Sequence, residues 1–249
     1  MKNFYWFLLV IWTSTCSKTL HVTSVPQANF KIAEASTVEP SSEIEAIIAP
    51  YKNQLEEEMN EVIGTCAQDL TKAKPECSLG NFMADLVHKK CEAYYENPID
   101  FALVNYGGIR IPTLAAGEIS RSDIFELMPF ENMLVVIHVD AATLTLLFDR
   151  MADYGGWPVS YQVRYGIKNR KPVDVTISGK PIEAGKMYKI ALTDFVANGG
   201  DKCYFFKDKK RYKLGKLFRD VIIEHVQDLT KIGDSVDAKL EGRVVVVED

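Results

Sequence analysis

The sequence predicts a single α+β domain in which mixed β-sheets are layered with helices. Short apolar runs that are typical of buried strands alternate along the chain with segments whose apolar residues recur every three or four positions, as in amphipathic helices. Helices that alternate with strand pairs fit mixed sheets covered by helices. The 249 residues are 47% hydrophobic and 25% charged, which is an ordinary globular composition with enough apolar material for a core.

The N-terminal residues indicate export. A lysine precedes an apolar run from Phe4 to Trp12, which is too short to span a bilayer but suits a signal peptide. The following Thr13-Ser14-Thr15-Cys16 is similar to a bacterial lipoprotein cleavage box, so we expect Cys16 to be lipidated and to tether the protein to a membrane. The protein would then be periplasmic or anchored to the outer membrane of a bacterium. The predicted boundaries are a signal peptide at 1–16, a flexible tether at 17–41 and the domain at 42–249.

The elements of the domain follow from capping residues and apolar spacing. Ser42 and Glu45 have the form of a capping box and open an amphipathic helix, which we expect to end at Gly64 and to pack on the core. Ser78 can cap a second helix that ends before Asn97-Pro98. Further helices are predicted after Ser120, after Asp140 and over 216–227, and strands are predicted at 101–104, 133–139, 159–166, 172–177, 188–192 and 242–247. The basic run 207–211 reads as a solvated loop.

A pair of glycines follows the first of these strands. In Asn105-Tyr106-Gly107-Gly108-Ile109-Arg110 the glycines allow positive φ and a close approach of the backbone to a ligand. Arg110 adds a planar fork of five donors beside that bare backbone. The loop is therefore suited to holding something flat and anionic.

A second loop has a related composition. Phe195 is followed by Asn198-Gly199-Gly200-Asp201 after another strand, and a third aromatic stands in the corner Pro129-Phe130. Two aromatics beside glycine loops can sandwich a purine or pyrimidine, and such stacking contributes roughly 1–3 kcal/mol per base. The alternative for each phenylalanine is burial in the core.

Together with Glu76-Cys77-Ser78-Leu79-Gly80-Asn81, these motifs resemble, in the same order, the carboxy-terminal substrate-binding domain of the 5′-nucleotidase family. The resemblance covers about Ser42 to Val247. It implies a nucleoside or nucleotide site formed by Asn105, Gly107, Gly108, Arg110, Phe130, Phe195, Asn198, Gly199 and Asp201.

The resemblance also implies a role for several of these residues. Phe130 and Phe195 would stack on the base, Asp201 would accept hydrogen bonds from the ribose hydroxyls, and Asn105 would bond the base edge. Arg110 would face the phosphate, a contact suited to a bidentate guanidinium. The ordinary alternatives are a turn-stabilising Asp201, an Asx turn at Asn105 and a surface salt bridge for Arg110.

Two positions depart from the family pattern. Tyr106 stands where many relatives have a third glycine, which makes this loop stiffer. In the family, the helix that follows the Glu76–Asn81 motif commonly supplies an arginine for the phosphate. Residues 79–97 of this chain contain no arginine, so Lys89 or Lys90 could take that role as a point charge.

Hydrolysis in the full-length family takes place at two metals in an amino-terminal metallophosphatase domain, where the ions clamp the attacking and leaving oxygens. The four histidines of this chain lack the ligand spacing of such a domain, so we expect no metal cofactor in this chain and divalent metals on a separate phosphatase chain. The first hypothesis is accordingly a substrate-specificity subunit of a split 5′-nucleotidase, a hydrolase only with its partner. One alternative is a stand-alone exported lipoprotein that binds nucleosides or nucleotides without catalysis. Another is a structural surface lipoprotein whose pocket has lost its binding function.

Charge and cysteine usage limit the other possibilities. The net charge of −5 and the sequence pI of about 5.5 disfavour a nucleic-acid polymer as partner, since that would require a basic face. The four cysteines beyond the signal peptide could pair in three ways in an oxidising compartment or could remain thiols: Cys66, Cys77, Cys91 and Cys203.

Overall fold

The computed structural model describes residues 41–248. The chain divides into two units, Met1–Ile47 and Ile48–Asp249, and only the last residues of the first unit are described. The predicted signal peptide, the lipidated Cys16 and the tether as far as residue 40 lie outside the described residues. Their assignments therefore stay predictions.

Twelve strands and six helices are present in the described part of the chain, together with three short 3₁₀ turns. The helices are α1 Ser42–Met59, α2 Ser78–Tyr95, α3 Arg121–Leu127, α4 Ala141–Asp153, α5 Asp194–Ala197 and α6 Phe218–Lys231. The strands are β1 Val62–Cys66, β2 Leu70–Thr71, β3 Phe101–Ala102, β4 Thr113–Leu114, β5 Gly117–Ser120, β6 Met133–Asp140, β7 Val163–Lys168, β8 Lys171–Ile177, β9 Lys180–Pro181, β10 Met187–Thr193, β11 Arg211–Leu217 and β12 Val244–Val246.

The central sheet has the strand order β11-β6-β10-β3, and a second four-stranded sheet has the order β12-β7-β8-β9. Within the central sheet β3 runs parallel to β10, whereas β6 is antiparallel to both β10 and β11. In the second sheet β12 is parallel to β7, which is antiparallel to β8. The predicted α+β fold with mixed sheets and covering helices is confirmed.

Side-chain alternation along β6 divides the core into two parts. Leu134 and Val136 lie in one apolar cluster with residues of α2 and α6. Val135, Ile137 and Val139 lie in a second cluster with residues of α4 and of the second sheet. Because successive side chains of a strand point to opposite faces, the central sheet is buried on both sides and forms the middle layer.

The predicted caps of two helices are present. Ser120 and Asp123 form a reciprocal capping box at α3, and the Asp140 carboxylate accepts a hydrogen bond from the Thr143 amide at the start of α4. At α2 the capping residue is Cys77 rather than the predicted Ser78, since the Cys77 thiol accepts a bond from the Gly80 amide. The hydroxyl of Ser78 instead accepts a bond from the Thr71 amide.

The prediction for the first helix is wrong at its end and in its packing. The helix ends at Met59, because Val62–Cys66 pairs with β5 as strand β1. Gly64 lies in that strand, where a Cβ would come within 2.5 Å of Val226 of α6. No side chain of α1 is buried, so its apolar spacing does not indicate core packing. The basic run 207–211 is a turn that leads into β11, a strand that the sequence pattern does not reveal.

Arg243 ties three segments of the domain together from a nearly fully buried position. Its guanidinium donates to both carboxylate oxygens of Asp85 in α2, at 2.7 and 2.6 Å. It also donates to the Glu241 carboxylate at 3.0 Å and to the Val159 carbonyl at 2.9 Å. Removing Asp85 would leave this buried charge with Glu241 as its remaining carboxylate partner, so part of the desolvation cost of the guanidinium would no longer be offset.

We therefore expect Asp85→Asn to reduce the free energy of unfolding by about 1–3 kcal/mol. The matched control is Glu61→Gln, which breaks the more exposed Arg121–Glu61 pair and should cost less than about 1 kcal/mol. Urea unfolding at pH 7 measures both, with the slope checked for constancy. Equal small losses in the two variants would contradict a structural role for the Arg243–Asp85 pair.

Candidate functional site

Three loops meet at one edge of the central sheet because of how its strands pair. The glycine loop 105–110 comes shortly after β3, and Phe195 lies in the short helix α5, which begins directly after β10. Since β3 and β10 are parallel neighbours, both loops leave the sheet at the same edge. Strand β6 is antiparallel to β10, with Leu134 opposite Thr193, so the chain entering β6 from Phe130 lies at that edge too.

These loops enclose a cavity of ≈ 290 Å³. Asn132 lines this cavity together with seven of the nine predicted binding residues. The seven are Asn105, Gly107, Gly108, Arg110, Phe130, Phe195 and Asp201. The cavity has apolar rings, two side-chain amides, a carboxylate and a guanidinium on its walls. Such a combination of apolar walls with a few polar groups is typical of small-molecule sites.

Neither predicted stacking phenylalanine is a core residue. Phe130 is 38% exposed and Phe195 is 43% exposed. The Arg110 guanidinium lies over the Phe130 ring, 5.6 Å from its centroid. A Cβ at Gly200 would come within 2.5 Å of the Phe195 ring, so only glycine permits this close approach of the backbone.

Asn105 and Asp201 both line the cavity, and their side chains are joined by a hydrogen bond. The Asn105 side chain is almost fully buried, and its Nδ2 donates to Asp201 Oδ2 at 2.8 Å. Because a carboxylate only accepts, this bond sets which end of the amide faces Asp201. The amide oxygen Oδ1 is buried without a hydrogen-bond partner, and a Cβ at Gly108 would lie 2.9 Å from it. Gly108 therefore leaves room for that oxygen.

Positive charge surrounds the glycine loop. The Lys72 ammonium donates to the Ile109 carbonyl at 2.7 Å and lies 4.2 Å from the centroid of the Tyr106 ring. Burial, and next the nearby charge of Arg110, lower the pKa of Lys72. The Lys74 ammonium contacts the rings of Tyr106 and Tyr154 at 4.8 and 3.7 Å. These lysines precede α2, so the cationic groups beside the loop come from a segment that the sequence did not single out.

The lysines that the sequence suggested for the phosphate lie elsewhere. Lys90 donates to Glu224 and to Asp228, both at 2.7 Å, so its charge is already compensated. Lys89 lines a different cavity, beside His225. Neither lysine lines the cavity that holds Arg110.

Asn198 and Gly199 are outside the lining of the cavity. The side-chain Oδ1 of Asn198 accepts a hydrogen bond from the Arg211 guanidinium at the start of β11. Gly199 has a φ of +94°, a conformation that favours glycine, and therefore shapes the turn before Asp201. A binding role for these two residues stays a prediction.

Sequence reasoning missed Asn132, Lys72 and the support of Asp201 by Arg150, whose Nε donates to the Asp201 carbonyl at 2.7 Å. Asn132 stands two residues after Phe130, so proximity to that aromatic could have indicated it. No local pattern marks Lys72 or Arg150. Both reach the site through contacts between segments that are distant in sequence.

Within residues 41–248, no group of three or more His, Cys, Asp or Glu side chains is arranged to hold a metal ion. The described residues therefore do not fit a two-metal site, which the family resemblance implies for an amino-terminal metallophosphatase domain. Over the same residues, none of the helices combines the length and apolarity needed to cross a membrane. Cys66, Cys77, Cys91 and Cys203 are buried, unpaired thiols, and burial raises the pKa of Cys91.

Comparison with known proteins identifies relatives that are longer than this chain. The protein UshA of Escherichia coli is 26% identical over 77% of this chain and 35% of its own length. The cell wall protein Lmo0130 of Listeria monocytogenes is 25% identical over 84% of this chain and 30% of its own length. The crystal structure of a 5′-nucleotidase precursor from Thermus thermophilus superposes with a TM-score of 0.71 and 25% identity over 83% of this chain and 43% of that one.

This chain thus spans less than half the length of each of these relatives. The family model described as "5'-nucleotidase, C-terminal domain" matches residues 62–208, which is more than half of the chain and includes the three loops of the cavity. The chain therefore belongs to the 5′-nucleotidase C-terminal domain family.

Proposed function

We propose that this domain binds nucleosides and nucleoside 5′-monophosphates in the cavity at the edge of the central sheet. The observation that carries the proposal is the set of groups on the cavity wall. Two half-exposed phenylalanine rings, a carboxylate and a guanidinium lie on one cavity of ≈ 290 Å³. They provide one group for each part of a nucleotide: rings for the base, a carboxylate for the ribose and a cation for the phosphate.

The base would stack on Phe130 and Phe195. Rings that are 38% and 43% exposed retain apolar surface for a ligand to cover. Aromatic stacking tolerates any base, because every base has a π-face. Asn105 is the group positioned to distinguish bases, since its buried Oδ1 has no partner within the described protein and can accept a hydrogen bond from the ligand.

The ribose hydroxyls would donate to Asp201. One of its oxygens already accepts from Asn105, which holds the carboxylate at the cavity before any ligand arrives. A carboxylate has about four lone-pair sites, so both oxygens retain capacity for ribose hydroxyls.

The phosphate would lie toward Arg110 and the Gly107-Gly108 backbone. Arg110 is exposed and forms no ion pair among the described residues, so its donors are available to an anion. Lys72 contributes a second positive charge beside the same loop through its bond to the Ile109 carbonyl. Charge-assisted bonds to phosphate are about twice as strong as neutral ones.

For catalysis, we propose that a separate metallophosphatase chain carries the divalent metals and that this domain positions its nucleotide substrate. Holding a substrate in line with the attacking group is itself a large contribution to catalysis. We further propose that the protein is exported and tethered through Cys16, in keeping with the relative that is named a cell wall protein. The competing proposal is a stand-alone lipoprotein that binds nucleosides or nucleotides. If it is a receptor for nucleosides alone, it needs the rings and Asp201 but no contact to a phosphate.

Replacing either stacking ring tests the base site. Phe130→Ala or Phe195→Ala should weaken adenosine or uridine binding by roughly tenfold, as expected for losing one stacking contact. The thermal midpoint should change little because the rings are half-exposed. Calorimetric titration and a melt measure the two effects.

The matched control for the rings is Phe148→Ala, which removes a fully buried ring of α4 and should cost about 3–5 kcal/mol of stability. If Phe130→Ala and Phe195→Ala destabilise the fold as strongly as this control does, the base sandwich is wrong.

Replacing Arg110 separates the two proposals for the whole protein. Losing a charge-assisted hydrogen bond costs about 1.5–3 kcal/mol, so Arg110→Ala should weaken nucleoside monophosphate binding roughly ten- to a hundredfold. Binding of the matching nucleoside should stay nearly unchanged. Titrations at one fixed ionic strength give both values, with Arg121→Ala as a control for losing a positive charge away from the cavity. Equal losses for nucleoside and nucleotide would favour the stand-alone receptor.

Hydrolysis tests the assignment of catalysis to another chain. The purified protein, with or without Mg²⁺, Mn²⁺ or Zn²⁺, should release phosphate from AMP no faster than a buffer blank. The reason is that no described group of side chains is arranged to hold a metal. Metal-dependent turnover that follows the polypeptide through successive purification steps would overturn this part of the proposal.

A further inference from the structure

Asp201, whose carboxylate faces the ribose in the proposed function, has an unfavourable backbone conformation. Asp201 has φ 49° and ψ 34°, and Lys202 has a φ of 67°. Both values lie in the left-handed region, which is disfavoured for residues that carry a Cβ. Two such residues in succession persist only where surrounding contacts hold them.

One side chain from another element supplies such a contact. Arg150, in the last turn of α4, donates from Nε to the backbone carbonyl of Asp201 at 2.7 Å. Inside the turn the Cys203 amide donates to the Gly200 carbonyl at 3.0 Å. Arg150 therefore connects this turn to helix α4 by a hydrogen bond.

Arg150 is itself held in place. Its Nη1 lies 3.3 Å from a carboxylate oxygen of Asp153, and its guanidinium lies over the Tyr154 ring, 5.3 Å from the centroid. Its side chain is only 16% exposed. It does not line the cavity, so it has no direct contact to offer a ligand there. A fixed and largely covered donor is suited to supporting a strained turn.

We infer that Arg150 is a positioning residue that holds the Asp201 carboxylate in place to receive the ribose hydroxyls. The inference rests on the proposed nucleoside-binding function. The bond from Arg150 Nε fixes the backbone carbonyl of Asp201. The bond from Asn105 Nδ2 to Asp201 Oδ2, at 2.8 Å, fixes the carboxylate. Without the Arg150–Asp201 bond, the turn relaxes toward ordinary backbone angles, and the Asp201 carboxylate moves away from the position in which it receives the ribose hydroxyls.

The test uses a pair of ligands that differ only in the groups that Asp201 receives. Wild type and Arg150→Gln are titrated with adenosine and with 2′,3′-dideoxyadenosine, or with the uridine pair if uridine binds more tightly. The matched control is Arg170→Gln, because Arg170 also pairs with Asp153 but lies in the turn between β7 and β8, outside the cavity. Melts accompany every titration.

The expected result is a loss of about tenfold in adenosine affinity for Arg150→Gln, the order of one charge-assisted hydrogen bond. The affinity for the dideoxynucleoside should be unchanged, and Arg170→Gln should behave as wild type with both ligands. An equal loss for both ligands, or no loss, would overturn the inference. Should Arg150→Gln fail to fold, Arg150→Lys is tested in the same way, since it keeps the charge but lacks the Nε donor.

A second readout separates this inference from the proposed function. If the wild type binds neither nucleoside, the proposed function fails, and hydrogen exchange of the Cys203 amide decides the role of Arg150. Faster exchange in Arg150→Gln than in Arg170→Gln would show that Arg150 holds the turn. Equal exchange rates in the two variants would refute that role.

Discussion

The parallel pairing of β3 with β10 is the constraint on which the site depends. Phe101 and Ala102 of β3, the last strand of the central sheet, pair with Ile190 and Ala191 of β10, and this sheet is buried on both faces. Because parallel neighbours end at the same edge, the glycine loop after β3 and the phenylalanine after β10 have to emerge side by side. The antiparallel β6 then brings the chain around Phe130 to the same edge. A rigid middle layer thus presents three loops that belong to distant parts of the sequence.

The polar groups of the cavity are organised before a ligand binds. Asn105 donates to Asp201, Arg150 supports the backbone of Asp201, and Gly108 leaves space for the unpartnered Asn105 oxygen. A buried acceptor without a partner costs free energy in the empty protein. Ligand binding that satisfies this acceptor would recover that cost, which favours a ligand with a donor on its base edge. Preorganisation of this kind raises affinity mainly because less ordering is required on binding.

Charge near the cavity is opposite in sign to the charge of the whole chain. The sequence carries a net charge of −5, yet three cationic side chains lie against the rings of Tyr106 and Tyr154: Lys72, Lys74 and Arg150. The Tyr106 ring contacts two of these ammonium groups, those of Lys72 and Lys74. A local positive field attracts anions even to an acidic protein.

The sequence by itself determined the α+β class, the strands β3, β6, β7, β8, β10 and β12, and the helix caps at Ser120 and Asp140. It also contained the motifs that supply seven of the residues lining the cavity. These features can be recognised from short stretches of sequence, because apolar periodicity, capping residues and glycines in turns each involve only a few neighbouring residues. Only the tertiary structure decided that α1 is exposed, that Lys90 pairs with acids of α6, and that Lys72 and Arg150 support the site. Those contacts join segments far apart in sequence, and they depend on strand register and helix packing, which no local pattern encodes.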